Sequence, residues 1–79
     1  MKLLSDLEHD QVARVVKLND SCTGFERFRL LDLGVVPGTE IRRALDNPLD
    51  DPLAYWIRGA VIALRREQSD KIYVEITSE

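Results

Sequence analysis

The chain has one cysteine, Cys22, and one histidine, His9, so its 79 residues hold neither an internal disulfide nor the thiolate and imidazole ligands of a one-chain zinc centre. His9 reads as a solvated turn residue. Cys22 has no basic neighbour to activate it and reads as small core filler. The four glycines, Gly24, Gly34, Gly38 and Gly59, stand apart from one another, so no phosphate-cradling loop is formed and no nucleotide site is expected. Long hydrophobic runs are also missing. The longest uncharged apolar stretch, Gly59 to Leu64, is far short of the ~20 residues of a membrane-crossing helix. Met1-Lys2-Leu3-Leu4 meets Ser5-Asp6 before the apolar region of a secretory signal develops. The 14 acidic and 11 basic residues give a net charge of −3 and are interspersed, which disfavours a nucleic-acid or anionic-lipid tail. No pair of acids is embedded in apolar sequence, as acid–base catalysis would require. The expectation is a soluble intracellular protein that is not an enzyme and binds no nucleic acid.

What is present is the patterning of one small globular domain over residues 1–79, with 44% hydrophobic residues. Leu4 and Leu7 form a short lead-in that packs beneath the first strand. Val12, Val15, Val16 and Leu18 predict that strand over Gln11–Leu18. Val15 and Val16 fall on opposite faces, which a bulge would accommodate. Thr23 and Glu26 match a capping box opening a helix of about two to three turns. Phe25, Phe28, Leu31, Leu30 and Leu33 read as one broad apolar face. Gly34 then supplies the left-handed C-cap.

Val36-Pro37-Gly38-Thr39 reads as a type II turn leading into a strand from Thr39 to Leu45. Asp46 to Pro52 is a loop. Leu53–Arg58 and Ala60–Leu64 flank Gly59 as a hairpin, Arg65–Asp70 makes one helical turn, and Lys71–Ile76 alternates as the last strand. Strands this short, with one helix to cover them, predict a mainly β fold: a small SH3-like, partly open barrel of about five strands with a short helix inserted between strands 1 and 2.

The run Leu30-Leu31-Asp32-Leu33-Gly34-Val35-Val36-Pro37-Gly38, the loop Asn47-Pro48-Leu49-Asp50-Asp51-Pro52 and the stretch Arg58-Gly59 to Ala63-Leu64-Arg65-Arg66-Glu67 resemble the FeoA family of ferrous-iron transport accessory proteins. The resemblance spans Leu4 to Val74. His9-Asp10-Gln11, Ala60 and Ser69 depart from its common pattern. It implies a small cytoplasmic protein that works by contact with FeoB, the membrane GTP-binding ferrous transporter, and carries no cofactor.

Candidate contact residues follow from the sequence. Tyr55 and Trp56 are consecutive on one strand, so one points outward. Leu49 lies between prolines and aspartates with little local core to join. Arg65 and Arg66 suit an acidic partner, against the alternative of pairing with Glu67 or Asp70. Asp46, Asp50 and Asp51 offer weak oxygen ligation of a divalent cation, against the simpler reading of a solvated loop. The alternative function is a metal-responsive regulatory module like the SH3-like domain that ends some metal-dependent repressors. A further reading is a homo-oligomer joined through Lys71–Ile76 or another exposed edge.

Overall fold

The computed structural model describes residues 1–44 and 51–78. Its strands are β1 (Lys2–Leu3), β2 (Val12–Leu18), β3 (Glu40–Arg43), β4 (Leu53–Ile57), β5 (Ala60–Leu64) and β6 (Ile72–Ile76). Helix α1 (Gly24–Asp32) lies between β2 and β3, and the one-turn helix α2 (Arg66–Ser69) precedes β6. The six strands form one sheet in the order β1-β6-β2-β3-β4-β5, and every neighbouring pair is antiparallel. The sheet is not closed: β1 and β5 are its outer strands.

Two expectations about edges change. The lead-in is partly a strand, because Lys2 and Leu3 pair with Val74 and Tyr73 before the chain turns through a 3-10 helix at Leu4–Asp6. That addition places β6 between β1 and β2. β6 is therefore an interior strand, flanked by β2 along its length and by β1 at Tyr73 and Val74, and not the free edge expected.

The bulge required by Val15 and Val16 is present: the β2–β6 register shifts between Val15 and Lys17, leaving Val15 buried and Val16 half-buried. The turn at Val36–Thr39 closes with Thr39 N–H donating to the Val36 carbonyl at 3.1 Å, and Gly38 takes a φ of 92° as a type II turn demands. Arg58 and Gly59 join β4 to β5 with φ values of 51° and 81°, the two positive central residues of a type I′ hairpin.

Helix α1 ends in a Schellman motif. Val35 N–H donates to the Leu30 carbonyl at 2.9 Å and Gly34 N–H to the Leu31 carbonyl at 3.0 Å, while Leu30 and Val35 are both fully buried in the core. Its start differs from expectation. Thr23 occupies the N-cap but its side chain makes no cap hydrogen bond, and the Glu26 carboxylate, the other half of the expected box, pairs with Lys71 at 2.8 Å. A half-buried ammonium is a stronger partner for that carboxylate than a backbone N–H, and the pair ties α1 to the start of β6.

The core gathers Leu4, Leu7, Val15, Leu30, Ile41, Leu53, Tyr55, Ile57, Leu64, Ile72 and Val74, with Cys22 filling a gap among them. Burial pushes the Cys22 thiol above its ordinary value of 9.0, and nearby Glu26 adds to the shift. Below that value the thiol is protonated whether the chain is folded or not; above it the unfolded thiol ionises first, so stability falls as pH rises. Lys71, raised chiefly by its hydrogen bond to Glu26, acts in the same direction at still higher pH. Between about pH 8 and about pH 10, wild-type protein should therefore lose more stability than Cys22→Ala, as measured by urea denaturation at each pH. Equal losses would show that Cys22 ionises freely in the fold.

Candidate functional site

The outward side of the sheet is organised by register. Val12 pairs with Arg42, Arg42 with Trp56, and Trp56 with Val61, so a single line of side chains crosses β2, β3, β4 and β5. Trp56 lies within this line at 39% exposure. Two-residue periodicity places it outward while its neighbour Tyr55, with 0% exposure, points into the core. Tyr55 is thus corrected from contact residue to core residue. Its hydroxyl has no partner in good hydrogen-bond geometry; burial pushes the phenol above its ordinary value, and the neighbouring Ser69 hydroxyl offsets part of that shift.

An open groove of about 310 Å³ runs beside Trp56, lined by Val12, Glu40, Arg42, Trp56, Arg58 and Gly59. The Arg42 guanidinium stands over the indole at 5.8 Å from the ring centroid, a cation–π contact that holds the ring in place. Glu40 faces Arg14 at 3.7 Å across β2 and β3. Arg58 is held at the hairpin tip with its side chain laid over Gly34: a Cβ there would sit 2.6 Å from Arg58 Cδ. Gly34 thus ends α1 and also makes room for the groove's outer arginine.

A second exposed surface lies on α1. Phe25 is 93% exposed and Phe28 64%, so the two phenyl groups expected in the core face solvent. Leu30 is the fully buried residue of the helix, with Leu31 and Leu33 half-buried. At about 100° per residue Phe28 and Leu30 point about 160° apart, so the helix carries two apolar stripes and only one can face the sheet.

The remaining candidates are dispersed. Leu49, Asp46 and Asp50 lie outside the described residues. Asp51 accepts the Arg66 N–H at 2.9 Å and so caps α2 from across the chain. Arg65 is exposed at the N-cap of α2, where its N–H donates to Gln68 Oε1 at 3.1 Å. Arg66 is half-buried on the Tyr55 side of the sheet, away from Trp56. Asp70 accepts the Ser5 hydroxyl. His9 is exposed in the turn before β2. Among the described residues no three His, Cys, Asp or Glu side chains come together, and no helix is long and apolar enough to cross a membrane. Reading the sequence singled out Trp56 but missed Arg42, Arg58, Phe25 and Phe28. Arg42 becomes visible only through strand register, and Arg58 only through its contact with Gly34.

The fold is an open, six-stranded SH3-like sheet with a short helix, and it carries an exposed tryptophan and two exposed phenylalanines. The model of the FeoA domain matches residues 2–76, and the chain belongs to the FeoA family. It is 37% identical over 75 residues to the Fe(2+) transport protein A/Fe(2+) transporter FeoB fusion protein of Porphyromonas gingivalis, an alignment covering 95% of this chain and 9% of that protein. The solution structure of iron(II) transport protein A from Clostridium thermocellum is 34% identical with a TM-score of 0.88, covering 96% of this chain and 46% of the other. Stenotrophomonas maltophilia FeoA complexed with zinc, described as a prokaryotic SH3 domain protein, is 28% identical with a TM-score of 0.81, over 95% of this chain and 91% of that one. T. acidophilum IdeR, at 20% identity and a TM-score of 0.74 over 95% of this chain and 33% of its own, shares the fold.

Proposed function

We propose that this protein is a cytoplasmic accessory factor of ferrous iron transport that acts by contact with a FeoB-type transporter and performs no chemistry itself. The observation that carries this reading is the relative in which the same domain and the transporter occupy one polypeptide. Covalent linkage converts their encounter into an intramolecular one, an advantage only for partners that work side by side. The surface supports the reading. Phe25 and Phe28 leave apolar area in water that a partner would cover, and Trp56 is the kind of anchor that dominates contact energies. Arg65 would contribute at the rim, where a charge affects the rate of encounter more than the strength of the complex. Iron is the transporter's cargo in this scheme and needs no site on the domain.

The test is a titration of the protein against the full-length transporter in nanodiscs and against its soluble G domain. Saturable binding to one of them is expected. Phe25→Ser and Phe28→Ser should weaken that binding about tenfold each, the loss of ~1.4 kcal/mol of apolar contact. Both variants should keep the wild-type Tm within a few degrees, because neither side chain is packed. Failure of wild-type protein to bind either form overturns the reading.

A further inference from the structure

We propose that the groove beside Trp56 is a docking site for an acidic, apolar peptide segment of a protein partner, with an apolar side chain laid on the indole and a carboxylate held between Arg42 and Arg58. The groove is open rather than enclosed, and its 310 Å³ lies at the small end of ligand clefts, so it fits one or two side chains of a longer chain better than a free small molecule. Its charge selects the sign of the occupant. Glu40 is answered by Arg14 at 3.7 Å, whereas among the described residues neither Arg42 nor Arg58 has a carboxylate partner.

Arg42 is braced by its stack on Trp56, and Arg58 by the type I′ turn and by its passage over Gly34. Two guanidinium groups held in place lose little freedom when a carboxylate arrives, which is the condition for a charge-assisted hydrogen bond to add affinity. A polyanion is a poorer occupant. The chain carries a net charge of −3, Glu40 itself lines the groove beside Arg42, and Glu75 follows beyond Arg14 in the sheet register, so a strand of phosphates leaving the two cations in that direction would meet carboxylates. The inference rests on the proposed function only for the identity of the partner. The chemistry of the groove is independent of it.

Trp56 is the one tryptophan of the chain, so indole fluorescence of the intact protein reports this groove alone. A phage library of random dodecapeptides would be panned on the protein and the enriched sequences synthesised. Enriched sequences should place Asp or Glu beside a large apolar residue and should shift Trp56 emission. Changing their acids to the amides should weaken binding about tenfold, and Arg42→Gln or Arg58→Gln should weaken it several-fold at unchanged Tm. Phe25→Ser should have no effect on these peptides. Absence of enrichment, enrichment of sequences without acids, or peptide binding that survives Trp56→Ala each overturns the proposal. So does a single-stranded oligonucleotide that quenches Trp56 at lower concentration than the peptides. If the peptides bind as expected while the transporter does not bind wild-type protein, the groove stands and the transporter reading falls. If the transporter binds but no peptide does, the reverse holds.

Discussion

Tyr55→Ala is expected to lower Tm by at least about 12 °C, whereas Trp56→Ala, one residue along the same strand, is expected to fold normally and fail in partner binding. Tyr55 is fully buried, and emptying an aromatic site of this kind costs about 3–5 kcal/mol. A domain of this length has roughly 4–12 kcal/mol of stability in total, and each kcal/mol corresponds to about 4–8 °C in Tm. The loss is thus a large share of the total, and at the low end of that range the variant would not fold at all. Trp56 is packed on one side by Arg42 and open on the other, so its loss should cost about 1 kcal/mol. Tyr55→Phe separates the ring from its hydroxyl. Since that hydroxyl is buried without a hydrogen-bond partner, removing it should leave Tm unchanged or raise it. Circular dichroism melts of the three variants check this. A Tyr55→Phe variant that melts well below wild type would show that the hydroxyl is bonded.

Gly34→Ala is expected to cost about 2–3 kcal/mol and to disturb the groove as well as the helix. The residue has a φ of 102°, where an L side chain is strained by about 1–3 kcal/mol, and its added Cβ would lie 2.6 Å from Arg58 Cδ and 2.7 Å from Arg58 Nε. The two contributions separate in a double-mutant cycle. In an Arg58→Ala background the steric conflict is gone and the backbone strain remains, so the Gly34→Ala penalty should shrink by about 1 kcal/mol. Urea melts of the four proteins measure the coupling. A penalty that is the same in both backgrounds would place the Arg58 side chain away from Gly34. Gly34→Ala should also weaken peptide binding at the Trp56 groove, because Arg58 must move to admit the methyl group.

The difference between Tyr55 and Trp56 was half visible in the sequence. Alternation requires that one face in and one out, but which one depends on the register of β4 against β3 and β5, set by Ile41 opposite Ile57 and Leu53 opposite Leu64. Those four residues are all buried, and Tyr55 lies on their side of the strand. The same limit explains the phenylalanines of α1. Their spacing announces an apolar stripe, yet a nine-residue helix presents a single line to the sheet, and the buried Leu30–Val35 pair of the Schellman motif selects the stripe opposite Phe28. The Glu26 half of the capping box failed for a related reason. Glu26 has a second partner in Lys71, 45 residues away in sequence, and no local motif includes it.

The sequence by itself determined the elements and their punctuation: the helix stop at Gly34, the Pro37-Gly38 turn, the Arg58-Gly59 hairpin, the bulge at Val15–Val16 and the family. Each of these follows from the conformational preferences of a few adjacent residues, which a linear text records. Tertiary structure alone decided that Arg42 stacks on Trp56, that Arg58 crosses Gly34, and that Phe25 and Phe28 stay in water. Each depends on which distant strand or helix face lies alongside, and that is settled by the packing of the whole core.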